Sequence, residues 1–329
     1  MISTNKKAML AAAAVCSVLL LSACTNNSVA PNSNTGTVQE NSQNQSGQNQ
    51  NSTNPDNSSN SDSTAASEQL VSEFQSLLGQ GGKLPEAFEF LDKHADQLKP
   101  EHASQMLLAL EDAQIEDLQS LLDQYFSGNN QEQIVGIYEI GDSLEELIHK
   151  AKDADLKALL QDTLDSGYQL NTAEGMFGPE LDYRRTAQYS DIATEDTAAY
   201  LKLKSAESEQ ASQRDAALVI PWEELLKRAV AAEDFLNNYP DSSSKEDVAA
   251  MFSNYKNTVF LGANNTPLFA YENNVMDEAA RKAYTDAVAG DTAAEGTLLG
   301  DLKKFMDEAA KSDYKLTDSL EQFREQLIK

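Results

Sequence analysis

Basic residues are scarce in this chain. It carries 25 Lys and Arg against 53 Asp and Glu, a formal charge of −28 at pH 7. Such a surface has no cationic face to displace the counterions of a polynucleotide, which argues against nucleic acid as a partner. Cysteine is scarcer still. Cys16 and Cys24 are the only two, and none follows residue 24. The body of the chain therefore has no disulfide framework, no thiolate metal site and no cysteine nucleophile. The three histidines are His94, His102 and His149, and Pro100 separates the first two. Placed on different helices, they do not predict a metal centre. The chain also lacks a Gly-x-Ser-x-Gly elbow, a His-Glu-x-x-His pair, a phosphate loop ending in Gly-Lys-Ser/Thr and an EF-hand loop. No catalytic residue, metal or cofactor is assigned on this basis. Strand-like runs are few: Ala217–Ile220 is cut off by Pro221, and Ile134–Ile140 is broken by Gly136.

The amino-terminal end has its own organisation. Lys6 and Lys7 precede an uncharged apolar stretch, Ala8–Leu21. That stretch has the length of a secretion-signal core and is too short to span a bilayer. It closes on Leu21-Ser22-Ala23-Cys24, which resembles the lipobox of bacterial lipoproteins. The resemblance implies a diacylglycerol on the Cys24 thiol, cleavage just before it and an acylated new amino terminus. It covers residues 1–24 and says nothing of the fold beyond them. Residues 1–23 are then a signal peptide, and Cys16 is discarded with it. Two or more acyl chains hold a protein on a membrane far better than one.

From Thr25 to Ala66 the composition changes. Asn, Ser and Gln supply 25 of these 42 residues, with no aromatic residue and no Lys or Arg. Such a segment cannot bury enough apolar surface to offset the entropy of ordering, so residues 24–66 are expected to be a disordered tether. A flexible coil of this length has an r.m.s. span on the order of 35 Å. A lipid followed by a long polar leash suits a domain held above a membrane within a wall, and points to a Gram-positive cell. Without Lys6, Lys7 and the tether acids Glu40, Asp56 and Asp62, the remaining chain carries −27.

That remainder follows a helical period nearly throughout. Leu70, Phe74, Leu77 and Leu78 form one stripe. Ile115, Leu118, Leu122, Tyr125 and Phe126 form another, as do Trp222, Leu225, Leu226 and Ala229, and Leu316, Leu320, Phe323 and Leu327. Pro85 stands in a first-turn position, and Ser243 to Glu246 has the spacing of a capping box. The pattern predicts an all-α fold, a multi-helix bundle or helical array of about ten to thirteen helices after the tether. Two subdomains are expected, residues 67–171 and 172–329.

Two stretches depart from this period. Asn171–Tyr189 contains Gly175, Gly178 and Pro179 beside Phe177, Tyr183, Arg184, Arg185 and Tyr189. Phe260–Tyr271 contains Asn264, Asn265, Pro267 and Tyr271. Aromatic residues in long loops either tuck into a core or line a site. The second possibility would join both loops in one cleft. Its candidate binding residues are Phe177, Tyr183, Arg184, Arg185, Tyr189, Asn264, Asn265 and Tyr271.

The function expected from these features is that of an extracytoplasmic helical binding or scaffold lipoprotein. It would be membrane-tethered through lipid on Cys24, with an envelope protein or wall component as partner. The alternatives are a cell-wall-acting enzyme using carboxylates and a solute-binding lipoprotein of an importer. The second usually alternates strands and helices, and the strand-poor pattern argues against it.

Overall fold

The computed structural model describes residues 58–79, 83–290 and 294–329, with side chains from residue 65 onward. The signal segment, Cys24 and the tether up to residue 57 lie outside the described residues. Within them the chain forms thirteen α-helices and three two-stranded hairpins, so the fold is all-α. No described helix is long and apolar enough to cross a membrane.

α1 (Ser58–Leu78) begins inside the stretch that composition reads as tether. Its buried apolar face, Leu70, Val71 and Phe74, lies beyond that stretch. α2 (Leu84–His94) has Pro85 in its first turn and buries Leu84, Ala87, Phe88 and Leu91. A short 3₁₀ turn, Ala95–Gln97, leads to α3 (Pro100–Tyr125). With 26 residues, α3 is about 39 Å long at 1.5 Å per residue. α1 and α2 pack along it. α4 (Asn130–Ile137), α5 (Leu144–Lys150) and α6 (Ala154–Asp165) complete this part. A full capping box opens α5, where Ser143 and Glu146 satisfy each other's backbone N–H groups. The box expected at Ser243–Glu246 does not form. The N-cap of α10 (Lys245–Leu261) is Ser244, and its side chain caps nothing. Ser242 instead donates to Asp196.

Asn171–Tyr189 is largely regular rather than an irregular loop. β1 (Tyr168–Ala173) pairs antiparallel with β2 (Met176–Leu181). The turn residues Glu174 and Gly175 both have positive φ, 52° and 77°. That is the twist a two-residue hairpin prefers. Gly178 on β2 lies close to α3, and a Cβ there would stand 2.9 Å from the end of the Leu122 side chain. α7 (Tyr183–Thr186) and a 3₁₀ segment, Ala187–Ile192, lead into α8 (Glu195–Glu209). The hairpin of β3 (Gln213–Arg214) and β4 (Ala217–Leu218) connects α8 to α9 (Trp222–Asn238). α10 follows.

Phe260–Tyr271 likewise contains a hairpin, β5 (Gly262–Ala263) with β6 (Thr266–Pro267). α11 (Glu278–Val288), α12 (Leu298–Ala310) and α13 (Asp318–Leu327) close the chain. α9 is the hub of this part, in contact with α8, α10, α11 and α12. One cluster of buried apolar side chains reaches from Val71 and Phe74 through Leu160, Tyr200 and Phe235 to Phe305 and Leu320.

Candidate binding groove

A concavity lies between α8 and α9. Its cause is side-chain size. Ala198, Ala199, Ser205 and Ala206 of α8 are too short to fill the space towards α9, where Ala231 is also small. The groove has two lobes. The larger, of about 930 Å³, is walled by Ala187, Ser190, Ser205, Glu209 and Gln210. The smaller, of about 330 Å³, adds Leu203, Phe235, Asn238, Tyr239 and Tyr255. Lys202, Glu224, Lys227 and Arg228 line both lobes.

Arg228 is buried and held through Nη1 and Nε. Its Nη1 donates to Glu207 Oε1 at 2.8 Å and to the Gln210 carbonyl at 2.7 Å, and its Nε donates to Glu224 Oε1 at 3.1 Å. The Tyr255 hydroxyl donates to the same Glu207 oxygen at 2.6 Å, and the Ser212 N–H to the other at 2.8 Å. Burial disfavours the charge on Arg228, but the bonds to Glu207 and Glu224 outweigh it and hold the guanidinium above its usual pKa. Burial likewise pushes the Glu224 carboxyl up, and the bonds from Arg228 and Lys227 more than reverse it, leaving it below the usual range. Burial, then the Glu207 charge, pushes the Tyr255 hydroxyl well above its ordinary value. The floor of the groove is thus a locked network of one guanidinium and two carboxylates. The rim is different. Lys227 is 78% exposed and reaches Glu224 at 3.4 Å. Lys202 is exposed, and among the described residues it has no ion pair or hydrogen bond.

The candidate residues from the sequence lie elsewhere. Phe177 is buried, 4.8 Å from the Tyr138 ring, and its backbone N–H and carbonyl both bond Gln131. Tyr183 and Tyr200 each donate to Glu111 Oε1 at 2.5 Å, with Lys204 Nζ 3.9 Å from that oxygen. Arg184 is held by Asp182 and Gln169. Arg185 donates to the carbonyls of Leu164 and Asp165 at the end of α6. Tyr189 donates to Asp92 at 2.6 Å. In the second stretch, the Asn265 side chain donates to the Asp215 carbonyl and its backbone N–H to that of Ala216. Tyr271 is exposed and donates to the Asn264 carbonyl at 3.0 Å. The structure therefore joins Asn264 with Tyr271. It carries the second stretch onto the β3–β4 hairpin and the first onto α3, α4 and α8. None of the eight residues lines the α8–α9 groove.

One other arrangement has the outline of a site. Ser67 Oγ lies 2.7 Å from His102 Nδ1, but Ser67 is fully buried and also receives the Lys99 N–H, so its oxygen is closed to a substrate. Among the described residues, no group of three or more His, Cys, Asp or Glu side chains is placed to hold a metal ion. The comparisons with known proteins came back empty. No family model, curated protein or solved structure matches the chain.

The groove lysines had no signal in the sequence. Lys202 and Lys227 belong to separate helices, and only the packing of α8 on α9 brings them to one concavity.

Proposed function

We propose that the chain is a lipid-tethered binding module on the extracytoplasmic face of a bacterial cell membrane. The observation that carries this reading is the Leu21-Ser22-Ala23-Cys24 sequence, closing an apolar stretch that begins after Lys6 and Lys7. The lipid on Cys24 supplies the membrane attachment. The Asn/Ser/Gln-rich leash gives reach. The helical domain supplies the binding surface, and the α8–α9 groove is where a component of the envelope engages it. An open, preformed concavity with polar and apolar walls is the default place for a ligand.

The test is Cys24→Ser, read by membrane fractionation and by metabolic labelling with an alkyne fatty acid. The expected outcome is a labelled wild-type protein in the membrane fraction and an unlabelled variant that is released or left unprocessed. Unchanged membrane association and labelling of the variant would overturn the proposal.

A further inference from the structure

Resting on that reading of the groove as a binding surface, we propose a class of ligand for it: a small organic monoacid with an apolar body. The acid group is taken by Lys202 and Lys227, and the body lies against Leu203, Phe235 and Tyr239.

Three observations carry the inference. The first is the position of the cations. In a chain of −28, Lys202 and Lys227 line both lobes, at the place where the lobes meet. The second is what is already spent. Arg228 already meets two carboxylates, Glu207 and Glu224, so it offers no net positive charge to a ligand, and Lys227 offsets the carboxylate in excess. Lys202 has no partner among the described residues, and the exposed Lys227–Glu224 contact is of the kind that contributes little. A ligand anion therefore meets two ammonium groups at little cost in broken pairs. The third is the walls. One lobe is lined by Leu203, Phe235, Tyr239 and Ala231, the other by Ser190, Ser205 and Gln210. An apolar body is best desolvated in the first. The remaining acids set the charge number. Glu209 stands on one lobe and Asp234 on the other, both exposed. A second negative charge on the ligand would face one of them, which selects a monoanion. A cationic ligand would meet the two lysines at the centre.

The experiment is site-resolved photolabelling of the full chain. The probe is 4′-azidobiphenyl-4-carboxylate, compared with its neutral carboxamide, and labelled peptides are mapped by mass spectrometry. The variants are the double substitution Lys202→Gln with Lys227→Gln, and Ala231→Leu, which fills the apolar lobe. All three positions are exposed on helices, and a melting curve checks that each variant keeps its fold. The expected result is saturable labelling of α8 and α9 by the acid. Subsaturating labelling should drop roughly tenfold in the double variant, as loss of two close opposite charges requires. The carboxamide should label weakly and equally in both proteins. Ala231→Leu should abolish labelling by either probe. Equal labelling by acid and carboxamide, or an undiminished acid signal in the double variant, would overturn the ligand class and leave the groove as a binding surface. Absence of α8–α9 labelling by both probes would overturn the groove itself.

Discussion

The guanidinium of Arg185 lies 3.8 Å from the centre of the Phe88 ring. The same group donates at 2.9 Å to the Leu164 and Asp165 carbonyls in the last turn of α6. One side chain thus caps α6 and covers a buried ring of α2. Its neighbour Arg184, half exposed, pairs with Asp182.

Arg185→Ala should therefore destabilise the fold by about 2–3 kcal/mol, from a lost cation–π contact and lost charge-assisted bonds. Arg184→Ala should cost less than about 1 kcal/mol, as exposed pairs do. Urea denaturation of the two variants checks the contrast, and equal effects would refute it.

Phe177 packs beside Tyr138, and Phe269 lies 6.3 Å from the Phe305 ring. Both are nearly fully buried, at 5% and 4% exposure. Phe177→Ala and Phe269→Ala should each cost about 3–5 kcal/mol, the range for emptying a filled core site. Thermal melts showing losses under about 1 kcal/mol would mean these rings are not core elements.

Gly262 ends α10 at φ 80° and ψ −174°, a region open essentially to glycine alone. A Cβ there would lie 2.3 Å from the Leu268 backbone nitrogen. Gly262→Ala should destabilise the protein by on the order of 1–3 kcal/mol or more. A variant with the wild-type unfolding midpoint would contradict this geometry.

Alkaline pH gives the fourth expectation. Burial pushes the Tyr125 hydroxyl up to about 12. Burial, then a nearby carboxylate, pushes Tyr168, Tyr200, Tyr255 and Tyr284 up as well. In the unfolded chain these groups ionise near pH 10, and in the folded chain they keep their protons. The folded state then holds more protons, so stability is complete below pH 10 and falls as pH rises above it. Each such hydroxyl steepens the fall by about 1.4 kcal/mol per pH unit until its folded pKa is reached. The protein should unfold cooperatively between about pH 10 and 12, with the last of the tyrosinate absorbance appearing as the helical signal is lost. Ionisation of all eleven tyrosines before any loss of helix would refute it.

The helices were legible because each buries one face. Trp222, Leu225, Leu226 and Ala229 recur at the helical period, and all four are buried in α9. The β3–β4 and β5–β6 hairpins were not, because two-residue strands have no room for alternation. The turn at Asp215–Ala216 was hidden for another reason. Ala216 takes φ 57°, which its side chain does not favour, and the Asn265 N–H, far along the chain, holds its carbonyl at 2.7 Å. The candidate residues followed the failure of periodicity, which marked the hairpins. A groove made by short side chains on two regular helices leaves that periodicity undisturbed.

The two tyrosine hydroxyls on Glu111 have a consequence for how this chain tolerates its own composition. A carboxylate removed from water is most often matched by Arg or Lys, and this protein has few of either. At the buried Glu111, two phenols take much of that role, donating at 2.5 Å without adding a positive charge. A neutral donor in contact with its acceptor is not weakened by mobile ions as a separated surface charge pair is. The Glu111 carboxylate is in this way insulated from the ionic strength outside. The surface registers salt, and there added salt relieves the mutual repulsion of the excess acids and favours the compact state.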